Sequence, residues 1–396
     1  MTLELNQIAP QLEAMEQHRA GQMDRHQQTL QAARACLHQF ATDSEALQAK
    51  VNTAREIAEA QRFGWLGASP TAEPLDARHP LPDCPERLTV IGSDGSQIHP
   101  DRHSAVLYAL INTGWIVYRH GSSQPPEAGT KSTLFYERKD LFDEQGHIWP
   151  PSVLNARRDL GETEALLQLA RNYVEDGVPV VALNDGQLPL WSLDLPYNQQ
   201  KLLRRKHAKL LAGLQELGAI VAGYVDRPRS THLVNLLHLA TLEQIDKDTL
   251  RDNPFLTLID REVFDFLGPG ERSALFVIES QANEYYQARG HSVHFFYLNV
   301  GQAGRGKLAR VEVPVWVATD PDRLNILHAA LIRQAWLTRR EFPYPYALTR
   351  AHELAVITTA ERQALERLIV RQTPGATGSS KALQKTWLGK RERFRT

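Results

Sequence analysis

The chain has 396 residues, and its 45 lysines and arginines against 46 aspartates and glutamates give a formal net charge of −1 at pH 7. Hydrophobic residues make up 42% and charged residues 23%, which is ordinary for a globular protein with two or three structural units. The near-neutral balance excludes a uniformly basic coat protein for nucleic acids. Because no apolar run approaches the roughly 20 residues of a membrane helix, we expect no membrane association.

The two cysteines, Cys36 and Cys84, lack the spacing of a zinc finger and are too few for a disulfide scaffold. The N-terminus also lacks the basic start and the apolar stretch of a secretory signal. These two features together predict a cytoplasmic protein.

Residues 1–66 show apolar positions at steps of three and four, which predicts an N-terminal helical arm with a break near residues 41–44. Two interpretations stay open: an arm for dimerisation or partner docking, and a helical layer on the chain's own core. Residues 67–87 contain five prolines, and proline removes backbone donors, so we expect a linker there. A new domain is predicted to run over residues 88–370, with a basic tail at 371–396.

From residue 88 onward, apolar runs alternate with amphipathic segments. The runs predict strands at 88–94, within 104–121, and at 178–185, 219–226, 292–300 and 308–316. Helical spacing predicts helices at 157–176, 201–218 and 321–337 and a mostly helical stretch at 230–290. This strand–helix–strand order predicts an α/β fold.

Two aspartates follow predicted buried strands, and a glycine follows each of them. They are Asp94, in Asp-Gly-Ser, and Asp185, in Asn-Asp-Gly. Ligands of open α/β sheets gather at the carboxyl ends of strands, and paired carboxylates suit Mg²⁺ or Mn²⁺. Asp-Gly is also a common turn dipeptide, so the residues alone leave both a metal site and plain turns open.

The order of several short motifs resembles that of NurA-type nucleases. The matching segments span about residues 85–370 and are DGS (94–96), NDGQL (184–188), GYVDRPRS (223–230), GPGERS (268–273), FYL (296–298), RVEVP (310–314) and YPYAL with AH (344–348, 351–352). The resemblance implies an α/β fold with an RNase H-like mixed-sheet core and flanking helices. It also implies a metal-dependent deoxyribonuclease, 5′–3′ exonuclease and/or endonuclease, that acts at DNA ends in repair.

The resemblance further implies a site and its partners. Asp94 and Asp185 match metal-binding aspartates of the family, His352 matches its histidine, and a glutamate on the preceding helix completes the site. Glu164 fits best, with Glu162 as its rival. The implied cofactor is Mn²⁺ or Mg²⁺, with two ions per site, and the implied partners are DNA, a HerA-type hexameric ATPase and a second copy of the chain. Without the resemblance, a core histidine is the favoured interpretation of His352.

Basic residues suggest contacts to the DNA backbone. Arg227 and Arg229 follow the third buried strand, where either phosphate contacts or structural ion pairs are possible. The segment GQAGRGKL (301–308) nearly spells a P-loop, but it lacks the Ser or Thr and the following helix, so we reject nucleotide hydrolysis. Arg305, Lys307 and Arg310 in and after that loop are DNA-binding candidates, with a solvated hairpin tip as the alternative.

Two other functions stay open from the sequence. The runner-up to the DNA nuclease is a non-catalytic DNA-binding clamp or scaffold of the motor complex. The third hypothesis is an RNase H-like enzyme that acts on RNA. The presence of Asp94, Asp185 and a candidate glutamate favours the enzyme.

Overall fold

A computed structural model describes residues 5–102, 104, 106–174, 177–190, 195–302, 306–337 and 343–372. The described residues form two compact units. Unit 1 takes its residues from 1–84, 186–189 and 222–344, and unit 2 from 85–185, 190–221 and the segment after 344. None of the described helices combines the length and the apolar character needed to cross a membrane.

The part of the chain that the structure describes contains thirteen helices. They are α1 (Leu5–Gln39), α2 (Ser44–Ala60), α3 (Arg138–Leu141), α4 (Pro151–Tyr173), α5 (Tyr197–Glu216), α6 (His232–Thr241), α7 (Lys247–Arg251), α8 (Asp260–Val263), α9 (Gln281–Gln287), α10 (Val315–Ala318), α11 (Pro321–Trp336), α12 (Tyr346–Ala355) and α13 (Thr359–Gln372).

The same residues contain eleven strands. They are β1 (Gly67–Pro70), β2 (Arg78–His79), β3 (Leu88–Ile98), β4 (Ala109–His120), β5 (Glu127–Phe135), β6 (Val180–Asp185), β7 (Ile220–Val225), β8 (Arg272–Ser273), β9 (Phe276–Glu279), β10 (Val293–Asn299) and β11 (Leu308–Pro314).

Unit 2 is built on a mixed sheet in the order β6-β3-β4-β5. Strand β3 runs parallel to β6 and antiparallel to β4, and β4 pairs antiparallel with β5. Helices α4 and α12 both pack on β3 and β4. A mixed sheet with flanking helices confirms the α/β class expected from the sequence.

Unit 1 contains the antiparallel strands β1-β9-β10-β11 followed by most of β7. The N-terminal helices α1 and α2 pack against α6, so they form a layer of this unit. One contact shows how: Lys50 Nζ donates to the carbonyls of Ala240 (2.6 Å) and Leu242 (2.7 Å) at the C-terminal end of α6. The break between α1 and α2 falls near residues 41–44, as predicted.

Three expectations about local structure need correction. The proline-rich segment 67–87 contains strands β1 and β2, because Pro70 ends β1 and the other prolines lie outside both strands. The stretch 230–290, expected to be mostly helical, contains β8 and β9 between short helices. Strand β5 was not expected, since most of its residues are exposed and polar. The division at residues 66, 87 and 370 differs from the two compact units and stays a prediction.

A largely buried ion pair within unit 1 joins the segment between β1 and β2 to β8. Arg272, a buried residue, donates Nη1 and Nη2 to the two carboxylate oxygens of Glu73 at 3.0 and 2.9 Å. The Leu275 N–H also donates to Glu73 at 2.7 Å, and His79 lies within 3.3 Å. Burial alone raises the pKa of Glu73, but these partners outweigh burial and lower the pKa to about 2.

We therefore expect Glu73→Gln to destabilise the protein by about 3 kcal/mol at pH 7, because it leaves the Arg272 charge buried without its partner. The lowered pKa makes this stabilisation complete above the ordinary glutamate pKa of 4.5 and lost as the pH falls towards 2. Urea unfolding at pH 7, 5, 4 and 3 measures the difference between the two proteins, which should shrink with acid. Glu59→Gln, at an exposed position of α2, is the matched control. Equal stability of the Glu73 variant and the native chain at pH 7 would contradict the assignment.

Candidate metal centre

The two aspartates are brought together by the parallel pairing of β3 and β6. Ser93 lies opposite Asn184 at the last pair of that ladder, so the next residues, Asp94 and Asp185, leave the ladder side by side. Strand β3 continues beyond this point along β4, where Asp94 lies opposite Gly114. The juxtaposition expected from the sequence is therefore a direct result of strand register.

His352 reaches the same place from helix α12. Its Nδ1 lies 2.6 Å from Asp94 Oδ2, and the histidine side chain is 61% exposed against 13% for the aspartate. Asp94, Asp185 and His352 each offer one ligand atom, and these three atoms lie within 4.8 Å of one another. Two carboxylates and an imidazole thus converge at a point that solvent reaches from the histidine side.

A third acidic group, Glu162 of α4, approaches the other face of β3. Its side chain is 2% exposed, and the Ser93 hydroxyl donates to its backbone carbonyl at 3.2 Å. Gly95 makes the approach possible, because a Cβ on that residue would lie 2.6 Å from Glu162 Oε1 and 2.6 Å from Arg158 Cγ. The absence of a side chain at Gly95 therefore lets α4 place the Glu162 carboxylate next to β3.

The charges around this point are coupled. Burial first, then the neighbouring carboxylates Asp159, Asp94 and Asp185, raise the pKa of Glu162 well above its ordinary value, while Arg158 opposes them. Burial also raises the pKa of Asp159, with a smaller contribution from Asp94. The cluster holds more negative charge than its protein partners neutralise, which is typical of a cation site.

Arg158 is the cation nearest to these carboxylates. It lies 3.3 Å from Glu162 Oε1 and donates to Asp159 Oδ1 at 2.7 Å. Burial disfavours its charge, but Asp159 and Glu162 outweigh burial and raise its pKa. Gln97 accepts from Arg158 Nη1 at 3.2 Å and donates to Asn155 at 3.0 Å, which fixes the guanidinium.

The structure places the two candidate glutamates differently. The sequence favoured Glu164, yet the structure brings Glu162 to the aspartates, two positions earlier on α4. Residues two apart on a helix are turned about 200° from each other, so Glu164 lies on another side of α4.

Arg158 and Asp159 were missed by the sequence analysis altogether. Their spacing to Glu162, four and three residues, was a usable signal, because side chains at those spacings share one helix face.

A family model for the NurA domain matches residues 88–357. The chain belongs to the NurA domain family. The match covers more than half of the chain and includes Asp94, Glu162, Asp185 and His352. This confirms the resemblance seen in the order of the motifs. A search of curated proteins finds no match.

Solved structures similar to this NurA-domain chain include two NurA proteins and an endonuclease. The NurA nuclease from Sulfolobus solfataricus is 12% identical, with a TM-score of 0.48, over 85% of this chain and 95% of that one. A NurA bound to dAMP and manganese is 12% identical, with a TM-score of 0.38, over 84% and 96%. The catalytic domain of human endonuclease V is 13% identical, with a TM-score of 0.33, over 72% and 84%.

The candidate DNA-binding residues of the NurA domain differ in the exposure of their side chains to solvent. Arg227 and Arg229 are exposed on either side of the buried Pro228, and Arg227 has a backbone φ of 48°. Lys307 is instead 16% exposed, lies 2.9 Å from Asp226 and donates to the Pro343 carbonyl at 2.7 Å. Arg227 also lies 3.8 Å from Asp226, but its side chain is 69% exposed. The two arginines therefore present charge to solvent, whereas the lysine is largely buried in its ion pair.

Arg310 is incompatible with the predicted contact to DNA. Its side chain is 1% exposed, donates to Glu312 Oε1 at 2.8 Å and lies 4.0 Å from Asp260. Its guanidinium also stacks over the Phe295 ring at 3.7 Å. The arginine belongs to a buried ion network, since every residue of β11 after Leu308 is buried. Arg305 and residues 373–396 of the basic tail lie outside the described residues.

We expect Glu162→Gln to raise the melting temperature of the metal-free chain by about 2–4 °C at pH 8, which corresponds to about 1 kcal/mol. The folded chain holds the Glu162 proton more tightly than the unfolded chain, so stability falls as the pH rises above 4.5. Glutamine has no charge to bury and avoids this loss. Thermal unfolding at pH 5 and pH 8, with chelator present, measures the difference.

Glu164→Gln, on another side of the same helix, serves as the matched control for that measurement. It should leave the melting temperature within about 1 °C at both pH values. A pH-dependent rise in the Glu164 variant, with none in the Glu162 variant, would reverse the assignment.

Proposed function

We propose that this chain is a divalent-metal-dependent DNA nuclease. The observation that carries the proposal is the convergence of Asp94, Asp185 and His352 within 4.8 Å in a NurA domain. Membership of this nuclease family supports the coarse statement, a metal-dependent nuclease, and the geometry supplies residues for it.

The donor set fits a divalent cation. Carboxylate oxygens suit Mg²⁺ and Mn²⁺ alike, whereas an imidazole among them favours Mn²⁺, the softer of the two. The excess of negative charge around Glu162 and Asp159 supports binding of a cation at this point as well. Asp94, Asp185 and His352 would hold the cation, and Glu162, although outside the group of three, is the proposed carboxylate for a second ion.

Phosphodiester hydrolysis needs an activated water and stabilisation of charge on the phosphate. A bound divalent cation supplies both, since it lowers the pKa of its water and neutralises developing negative charge. The residues of the chain would hold the cation and orient its ligands. Asp94 is fixed by the Gly95 N–H, which donates to Asp94 Oδ1 at 2.8 Å, and by His352, which contacts Asp94 Oδ2. Arg158 restrains Glu162 and Asp159 on the α4 side.

The finer parts of the proposal rest on family resemblance. We propose exonuclease and/or endonuclease action at DNA ends, together with a HerA-type hexameric ATPase, by a homodimer in the cytoplasm. Arg227 and Arg229 remain proposed phosphate contacts, which their exposure supports. A non-catalytic clamp is the second candidate, and the intact donor set favours the enzyme over it.

We expect Asp94→Asn, Asp185→Asn and His352→Ala each to lower Mn²⁺-dependent cleavage of linear DNA by about 10²–10³-fold, since each removes a proposed ligand. The assay uses end-labelled linear DNA with Mn²⁺, Mg²⁺ or chelator, and circular dichroism shows whether the variants fold. Glu353→Gln, next to His352 on α12 and exposed, is the matched control and should retain full activity.

Two results would contradict the proposal. Full activity of the Asp94 and Asp185 variants would remove the assigned site, and absence of Mn²⁺ binding and cleavage in the native chain would favour the clamp. A matched RNA substrate tests the third hypothesis: preferential cleavage of RNA would replace the DNA nuclease with an RNA-directed enzyme.

A further inference from the structure

Three polar residues form a row across the sheet of unit 2. Ser96 of β3 lies opposite Asn112 of β4, and Asn112 lies opposite Ser132 of β5. Directly paired residues project to the same face, and side chains on one strand return to that face every second residue. The pair of Asp94 and Gly114 is two residues along from Ser96 and Asn112, so the row shares the face on which Asp94 meets His352.

This row receives the C-terminal end of α12. Asn112 Nδ2 donates to the carbonyls of Ala355 (2.8 Å) and Leu354 (3.3 Å), and the Ser96 hydroxyl also donates to the Ala355 carbonyl. The Ser132 hydroxyl donates to Asn112 Oδ1 at 2.8 Å, which fixes the orientation of the amide. The last carbonyls of a helix have no intrahelical donors, so the sheet supplies donors for α12.

Two glycines let the helix lie directly on the strands. A Cβ on Gly92 would lie 2.7 Å from the Ala347 carbonyl carbon, and a Cβ on Gly114 would lie 2.5 Å from the Ala351 carbonyl oxygen. Both distances are shorter than any ordinary contact with backbone, so a side chain at either position would push α12 away. Buried Ala347, Ala351 and Ala355 complete the close approach on the helix side.

We propose that Asn112, fixed by Ser132 and assisted by Ser96, is a positioning residue that holds His352 against Asp94. His352 lies in the last turn of α12, two and three residues before the carbonyls that Asn112 binds. Anchoring those carbonyls fixes the rotation of the helix about its axis, and the rotation decides where the imidazole points. Asn112 is 9% exposed and lies on the sheet beneath the helix, so it acts through His352. This inference rests on the proposed metal-dependent nuclease.

A double-mutant cycle separates positioning from general stabilisation. We expect Asn112→Ala to weaken Mn²⁺ binding by about 10–100-fold, as the loss of residues that orient metal ligands usually does. In a His352→Ala background the same substitution should change the Mn²⁺ dissociation constant by less than about 2-fold, because there is no imidazole left to position. Isothermal titration calorimetry on the full chain measures all four dissociation constants, and thermal unfolding with chelator shows that each variant folds.

Ser132→Ala and Thr130→Ala form a matched pair of variants on β5. Both remove one hydroxyl from the same face of the strand, but only Ser132 binds Asn112. We expect Ser132→Ala to weaken Mn²⁺ binding, with less effect than Asn112→Ala, and Thr130→Ala to leave it unchanged. If Asn112→Ala does not fold, Ser132→Ala carries the same cycle with His352→Ala.

The outcomes distinguish this inference from the function on which it rests. If the native chain binds Mn²⁺ and cuts DNA, but Asn112→Ala weakens binding equally with and without His352, the positioning role is overturned and the nuclease stands. If the native chain neither binds Mn²⁺ nor cuts DNA, both are overturned. Loss of the Asn112 effect in the His352 background supports the positioning role.

Discussion

Repulsion between carboxylates is the constraint on which the arrangement of unit 2 depends. Asp94 and Asp185 offer ligand atoms within 4.8 Å of each other, and Glu162 and Asp159 add further negative charge nearby. Two unit charges at that distance repel by about 3 kcal/mol at the effective dielectric constant of a protein site. The strands and helices must hold these groups together against that cost, which Arg158 reduces only in part. A divalent cation bound at this point would offset the remainder, and this is why the cluster supports the proposed function.

The fold holds these groups together against their repulsion because a different strand or helix carries each of them. Asp94 and Asp185 come from neighbouring parallel strands, Glu162 from α4 on one face, and His352 from α12 on the other. Both helices approach the strands at glycines, Gly95 for α4 and Gly92 with Gly114 for α12. The triplet Asp94-Gly95-Ser96 thus combines a proposed metal ligand, space for the Glu162 side chain and a donor to the end of α12.

The strands with long apolar runs were predictable from the sequence. The apolar runs of β3, β6, β7, β10 and β11 were found because buried strands need continuous apolar residues. Strand β5 was missed because it is polar and exposed, and it is held only by its backbone pairing with β4. Strands β1 and β9 were missed for a related reason: each has four residues, too few to show a period, and they form through pairing with each other.

The sequence by itself determined the residue types of the site, the strands that carry Asp94 and Asp185, and the family to which the chain belongs. Local periodicity and motif order carry that information without reference to distant residues. Only the tertiary structure decided that Glu162 faces the aspartates, that Arg158 restrains it, and that Arg310 is buried rather than available to DNA. It also showed that Asn112 anchors the helix of His352, because a contact between residues 112 and 355 depends on strand register and helix packing.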